Sequence, residues 1–118
     1  MEKKKCIKVY VSGKITGLEY SVAKHNFVVG SVQVREYFIK KGYEQVAIFN
    51  PMQKPGIHQG VSYEDCMEID FMYINKCDAI YLMKGWEDSK GAQMEKKYAQ
   101  FMNKVVYQEI HGEICRLI

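Results

Sequence analysis

The chain has 118 residues, of which 47% are hydrophobic and 26% are charged, and its formal net charge is +3. This length predicts one compact domain over residues 1–118, with a core at about 6–108 and a tail at 109–118, that folds without disulfides or a metal. No stretch approaches the roughly 20 apolar residues of a membrane span, and no signal-peptide pattern follows the basic start at 3–5. We therefore expect a cytoplasmic protein with no membrane partner.

The excess positive charge lies largely in the lysines at 3–5, which is typical of a solvated tail rather than of a site for a nucleic acid polymer. The cysteines form no CxxC pair, and no histidine stands at zinc-site spacing from any of them. We expect reduced and mostly buried thiols at Cys6, Cys66, Cys77 and Cys115.

The predicted elements alternate between strands and helices along the chain. Strands are expected at 7–11, 45–50, 79–83 and 105–107, and helices at about 20–41, 62–76 and 91–103. Gly42 ends the first helix, and Ser62 caps the second. The segment 52–61 is expected to be a loop, and the last ten residues show no clear period.

Alternating strands and helices predict an α/β fold, a single-domain Rossmann- or flavodoxin-like three-layer sandwich with a mostly parallel sheet. The crossovers place the loops 12–17, 50–61 and 84–90 at one edge of the sheet. In open α/β sheets, ligands bind at this carboxyl edge of the strands. The sequence therefore predicts a ligand site where these loops meet.

The stretch VSGKITG at 11–17 resembles half of a phosphate-binding loop but does not complete one. A P-loop requires Ser or Thr after the lysine, whereas Ile15 follows Lys14, and no G-x-G-x-x-G pattern is present. Two interpretations remain: a short anion-binding loop before a helix, or a tight turn that needs its glycines for positive φ.

Two carboxylates stand on the apolar sides of predicted helices. Glu95 shares a stripe with Ala92 and Ala99, and Asp70 lies about 55° from the centre of the stripe of the second helix. Each could lie at the edge of its stripe and reach solvent, or the two could form a catalytic pair at the ligand edge. Paired carboxylates suit glycosidic chemistry. Tyr10, near the end of the first strand, could orient one of them or simply fill the core.

Five motifs carry a resemblance to a known family. They are VYVSGKITG at 9–17, Asn50-Pro51, SYEDCMEID at 62–70, CDAIYL at 77–82 and GWEDSKGAQME at 85–95. The chain resembles the nucleoside 2-deoxyribosyltransferase-like superfamily over about 7–107, and within it a short branch found in bacteria and phages. The nearest characterised relatives are 2′-deoxynucleoside 5′-phosphate N-hydrolases.

This resemblance implies a role for each matching position. Glu95 would be the nucleophile at C1′ of the sugar, Asp70 would assist departure of the base, and Tyr10 would orient Glu95. The resemblance and the ligand-edge loops together give the expected substrate-binding residues, Ser12, Gly13, Lys14, Ile15, Thr16, Gly17, Asn50, Pro51, Trp86, Ser89 and Gly91. Among these, Ser89 would contact phosphate, and Trp86 could stack on a base or merely cover apolar surface.

The resemblance also implies a nucleotide or deoxynucleotide ligand, no cofactor, no metal and a homo-oligomer (a dimer or higher). The chain departs from the transferases, because the tail at 109–118 offers no match for the asparagine or serine that a neighbouring subunit supplies there. Our leading hypothesis is an N-glycosidase or deoxyribosyltransferase acting through a Glu95 glycosyl-enzyme intermediate. The alternatives are a protein that binds a nucleotide or nucleotide signal in the same pocket without cleaving it, and an assembly role with a vestigial site.

Overall fold

A computed structural model of the chain describes residues 5–53 and 62–117. Its elements are β1 (Cys6–Ser12), α1 (Tyr20–Lys40), β2 (Gln45–Phe49), α2 (Tyr63–Lys76), β3 (Ala79–Leu82), α3 (Lys90–Phe101), β4 (Val105–Ile110) and β5 (Glu113–Leu117). Short 3-10 turns follow β2 and β3. The predicted α/β class is confirmed. Most of the loop expected at 52–61 lies outside the described residues.

The five strands form one sheet in the order β2-β1-β3-β4-β5. The first four are parallel, and β5 runs antiparallel to β4. The strand order reverses beside β1, which pairs with β2 on one side and with β3 on the other. The carboxyl ends of β1 and β3 are therefore the topological switch point, where doubly wound sheets bind ligands.

The alternation of side chains along β1 determines what faces each helix layer. Ile7, Val9 and Val11 belong to the core on the α1 side of the sheet. Tyr10 belongs to the core on the other side, beneath α2 and α3. Because successive strand residues point to opposite faces, Ser12 faces the same layer as Tyr10.

The helix boundaries follow the predicted signals closely. Gly42 has φ of +97°, as expected of a glycine just past a helix end, and α1 ends at Lys40. The Ser62 hydroxyl accepts the Asp65 N–H at 3.1 Å, which confirms the predicted cap of α2. The third helix begins at Lys90 and ends at Phe101, because Asn103 has φ of +59° and cannot continue it.

The described part of the tail at 109–118, whose sequence shows no clear period, contains strand structure that was not predicted. The fourth strand continues to Ile110, and β5 returns beside it through a two-residue turn. His111 and Gly112 both have positive φ, 50° and 81°, which matches the type I′ turn that joins twisted strands. The Glu109 carboxylate accepts the Gly112 N–H at 3.0 Å and holds the turn closed.

None of the helices in the described ranges, 5–53 and 62–117, is both long enough and apolar enough to cross a membrane.

Candidate active site

The centre of the site is a buried carboxylate on α3. Glu95 lies in the second turn of α3 and is only 5% exposed. Its neighbours on the same helical stripe, Ala92 and Ala99, are also buried. The helical spacing therefore predicted its inward direction correctly.

Two hydroxyls from β1 hold the Glu95 carboxylate in place. The Tyr10 hydroxyl donates to Oε2 at 2.8 Å, and the Ser12 hydroxyl donates to Oε1 at 2.7 Å. Both donors face α3 because they stand two residues apart on one strand. The two hydrogen bonds therefore fix the plane of the Glu95 carboxylate through both of its oxygens.

A second buried carboxylate, Asp70 of α2, lies beside Glu95. Asp70 is 3% exposed. Its charge and a hydrogen bond between the two side chains both affect the pKa of Glu95. Burial raises the pKa of Glu95 well above its ordinary value, Asp70 raises it further, and the hydrogen bonds from Ser12 and Tyr10 partly oppose this rise. Two carboxyl groups this close share one proton readily, since only one of them then carries a charge.

Tyr10 acts as a fixed donor in this arrangement. Burial, followed by the charges of Glu95 and Asp70, raises its pKa well above the ordinary value, so the phenol keeps its proton at neutral pH. Its ring stacks on Phe49 at a centroid distance of 5.3 Å, and Phe49 stacks in turn on Tyr73 at 3.9 Å. These rings fix the direction of the hydroxyl.

A cavity of about 480 Å³, called here the Glu95 pocket, opens above the two carboxylates. Its volume falls within the range of small-molecule sites. The residues around it come from the loop after β1, from α2, and from the start of α3. They are Gly13, Ile15, Thr16, Tyr63, Cys66, Met67, Asp70, Asp88, Ser89, Lys90, Gly91, Ala92 and Glu95.

The start of α3 brings two of the expected binding residues to this pocket. Ser89 is the N-cap, and its hydroxyl oxygen accepts the Ala92 N–H at 3.1 Å. The hydroxyl hydrogen is therefore available to donate to a ligand. A Cβ on Gly91 would stand 3.7 Å from the Met67 sulfur and the Tyr63 hydroxyl, so the glycine leaves space at this wall of the pocket.

Not all of the expected binding residues reach the Glu95 pocket. Lys14 lines a neighbouring cavity of about 500 Å³ on the α1 side of the sheet and is not part of the lining of the Glu95 pocket. Gly17 has φ of +89° and makes the turn that ends this loop, whereas Gly13 does not have a positive φ, so the turn interpretation accounts for only one of the two glycines.

Three further expected residues also lie away from the pocket lining. Asn50 and Pro51 are buried at the end of β2, where the Asn50 side chain accepts the Met52 N–H at 2.9 Å and holds the following turn. Trp86 packs against the core beneath α2 and α3, with the Lys96 ammonium 4.7 Å from its ring centre. The indole lines a separate cavity with residues of α3 and is not part of the lining of the Glu95 pocket.

The pocket also contains residues that the sequence analysis missed. Tyr63, Cys66 and Met67 stand seven, four and three residues before Asp70, so they share one face of α2 with it. Helical spacing counted back from Asp70 would have identified them. Burial, with the charge of Asp70, raises the pKa of the Cys66 thiol, which keeps it neutral and unsuited to act as a nucleophile.

Within residues 5–53 and 62–117, no group of three or more His, Cys, Asp or Glu side chains stands close enough to hold a metal ion.

Residues 7–108 match the model of a family described as a domain of unknown function (DUF4406). The chain belongs to this family. The matched segment includes Tyr10, Ser12, Asp70 and Glu95, so the whole candidate site is part of the family domain. Neither a curated protein nor a solved structure matched the chain.

Proposed function

We propose that this protein cleaves the bond between the base and the sugar of a nucleotide, with Glu95 as the nucleophile. The observation that carries the proposal is the environment of this carboxylate. Glu95 is buried on the floor of a pocket of ligand size, both its oxygens accept hydroxyl hydrogen bonds, and a second carboxylate lies beside it. A structural glutamate at the edge of its helix would instead reach solvent or a lysine.

The proposed reaction has two steps. Asp70 gives up a proton in the first step and takes up a proton in the second. A Glu95 oxygen attacks C1′ of the sugar, the C1′–N bond breaks, and its electron pair leaves with the base. The proton shared with Asp70 is delivered to the departing base. Water then attacks C1′, Asp70 accepts a proton from it, and the Glu95–C1′ bond breaks to restore the carboxylate. A second base in place of water would make the enzyme a transferase.

The hydroxyls of Tyr10 and Ser12 serve this reaction by fixing the nucleophile. The pair of hydrogen bonds holds the carboxylate plane in one orientation, so a bound sugar meets an oxygen that is already aligned. Tyr10 remains a donor throughout, because its own pKa is raised well above its ordinary value.

The start of α3 supports a phosphate on the substrate. Ser89 offers a hydroxyl, Lys90 offers a positive charge, and the N-terminus of a helix favours anions. The loop 12–17 would lie along the sugar as a nucleotide cradle, although it lacks the residues of a P-loop. A deoxynucleoside monophosphate fits this arrangement, in agreement with the resemblance to the nucleoside 2-deoxyribosyltransferase-like superfamily. The same resemblance supports a homo-oligomer in the cytoplasm, without a cofactor.

A chromatographic assay for free base tests the proposal. The protein is incubated with deoxynucleosides, deoxynucleoside monophosphates and NAD-type nucleotides, beside Glu95→Ala and the control Glu68→Ala. Glu68 is an exposed residue of α2 outside the pocket lining. We expect the wild type and the control to release base from at least one class, and Glu95→Ala to release none.

Two results would contradict the proposal. Base release by Glu95→Ala at the wild-type rate would remove the nucleophile from the mechanism. No release of base from a ligand that nevertheless raises the melting temperature would identify a binding protein that does not cleave its ligand.

A further inference from the structure

Helix α1 carries an apolar surface that its own domain does not cover. Its core-facing side contains Ala23, Phe27, Gly30, Val34 and Phe38. Away from the core, five large aliphatic side chains are 40–51% exposed, and these are Val22, Val28, Val29, Val32 and Ile39. A helix that is apolar on both sides is normally covered on both sides, so this surface indicates a partner.

Six of the exposed side chains of α1 follow a heptad spacing, and Val28 stands beside them at a flanking position. Steps of three, four, three, four and three residues connect Val22, His25, Val29, Val32, Glu36 and Ile39. This is the a and d pattern that packs one helix along another in a coiled coil. We call these six residues the α1 seam. Phe27 and Val34, which point into the core, stand at the heptad position opposite the seam.

The order of residues in the α1 seam is complementary to its own reverse. Around a midpoint between residues 30 and 31, an antiparallel pair places Val22 of one copy opposite Ile39 of the other, and Val29 opposite Val32. The same register places His25 opposite Glu36, which gives each imidazole a carboxylate acceptor. A parallel pair would instead place Glu36 against Glu36, where like charges repel.

We propose that the α1 seam binds the α1 seam of a second copy of this chain, antiparallel and around a two-fold axis at residues 30–31. A two-fold interface requires one surface that matches itself, and all six seam positions meet this condition together. A different partner would place no such constraint on the order of the residues. The resulting dimer has the layers sheet, α1, α1 and sheet.

This inference does not depend on the proposed glycosidase activity. The Glu95 pocket lies on the α2 and α3 side of the sheet, whereas the seam lies on α1, which covers the other face, with His25, Val29 and Glu36 at the rim of cavities on that face. Loss of the dimer and loss of base release are therefore separate results that different variants test.

Sedimentation velocity of the full chain over a range of concentrations tests whether the α1 seam forms a dimer. The wild type should sediment as a dimer, at twice the chain mass of 13.8 kDa. Val32→Glu places a charge at the centre of the seam and should give a monomer with an unchanged circular dichroism spectrum. Lys24→Glu adds negative charge to the same helix outside the seam and should remain a dimer. A monomeric wild type, or a Val32→Glu variant that still dimerises as tightly, overturns the proposal.

A charge exchange tests the antiparallel register. His25→Glu alone should weaken the dimer by roughly tenfold, because it faces Glu36 of the other copy with a like charge. Adding Glu36→His to the same chain exchanges the two groups and should restore the dissociation constant to near that of the wild type. A double variant as weak as the single one would exclude this register.

Discussion

Removal of the Tyr10 hydroxyl is the sharpest test of how the site positions Glu95, the proposed nucleophile. In Tyr10→Phe, the ring keeps its stacking on Phe49, and only the donor 2.8 Å from Glu95 Oε2 is lost. A hydrogen bond to a charged group contributes about 1.5–3 kcal/mol, and each 1.36 kcal/mol in a barrier is a factor of ten. We therefore expect kcat to fall roughly 10- to 150-fold.

The same substitution should change the pH dependence of the reaction. The Tyr10 hydrogen bond lowers the pKa of Glu95, so its loss raises that pKa further. Because Glu95 must be ionised to attack, the acid limb of kcat/KM should move to higher pH. The assay is base release across pH 4–9, with Tyr81→Phe as the control. Tyr81 is a buried tyrosine on the neighbouring strand that faces the α1 side. Wild-type kcat and an unmoved acid limb in Tyr10→Phe would refute the reasoning.

Three further predictions follow from the same contacts. Folding raises the pKa of Glu95, so its carboxyl stabilises the fold most at pH values below its unfolded-state pKa. This contribution is lost as the pH rises through the raised native pKa. Glu95→Gln should therefore unfold at a higher denaturant concentration than the wild type at pH 8 but not at pH 4. Ser89→Ala and Ser62→Ala each remove a helix cap and should each cost about 1 kcal/mol in denaturant unfolding, whereas only Ser89→Ala should raise KM for a phosphorylated substrate. Asp70→Asn removes the charge beside Glu95, so the acid limb of kcat/KM should move to lower pH while kcat falls with the loss of the proton donor.

Local periodicity was enough to predict that the side chains of Glu95 and Asp70 face the interior. The helical stripe of α3 predicted an inward Glu95, and the wheel of α2 placed Asp70 near its apolar side; both are buried. The pairing of Glu95 with Tyr10 joins residues 85 positions apart, which only the packing of α3 on the sheet brings together. No local pattern contains that information: the topology left open whether Tyr10 orients a carboxylate or fills the core, and the resemblance implied the pair with Glu95.

The loops were harder to predict, because a loop at the ligand edge can face either side of the sheet. Lys14 and Ile15 are adjacent in sequence, yet they line different cavities. Trp86 lies in the same helix layer as Glu95 but lines a separate cavity along α3. The topology rule places a loop at an edge, and backbone torsions within the loop determine which side chains reach the ligand.

The missed strand β5 has a local signal that periodicity did not reveal. Gly112 follows His111 between two short runs with strand-forming residues, and a dipeptide ending in glycine is typical of a tight hairpin. The side chains of β5 are mostly half-buried, so they lack the clear alternation that marks β1.

The most direct test of the Glu95 mechanism is to trap its covalent intermediate. The probe is a 2-deoxy-2-fluoro-arabinonucleotide that carries the same base that the wild type releases from its substrate. It should slow both steps of the reaction, because fluorine disfavours the positive charge that develops at the sugar. After an acid quench, peptide mass spectrometry should find the fluorinated sugar attached to the peptide that contains Glu95, and no adduct in Tyr10→Phe at the same early time. Stoichiometric base release with Glu95 unmodified, or an adduct on another residue, would contradict the account.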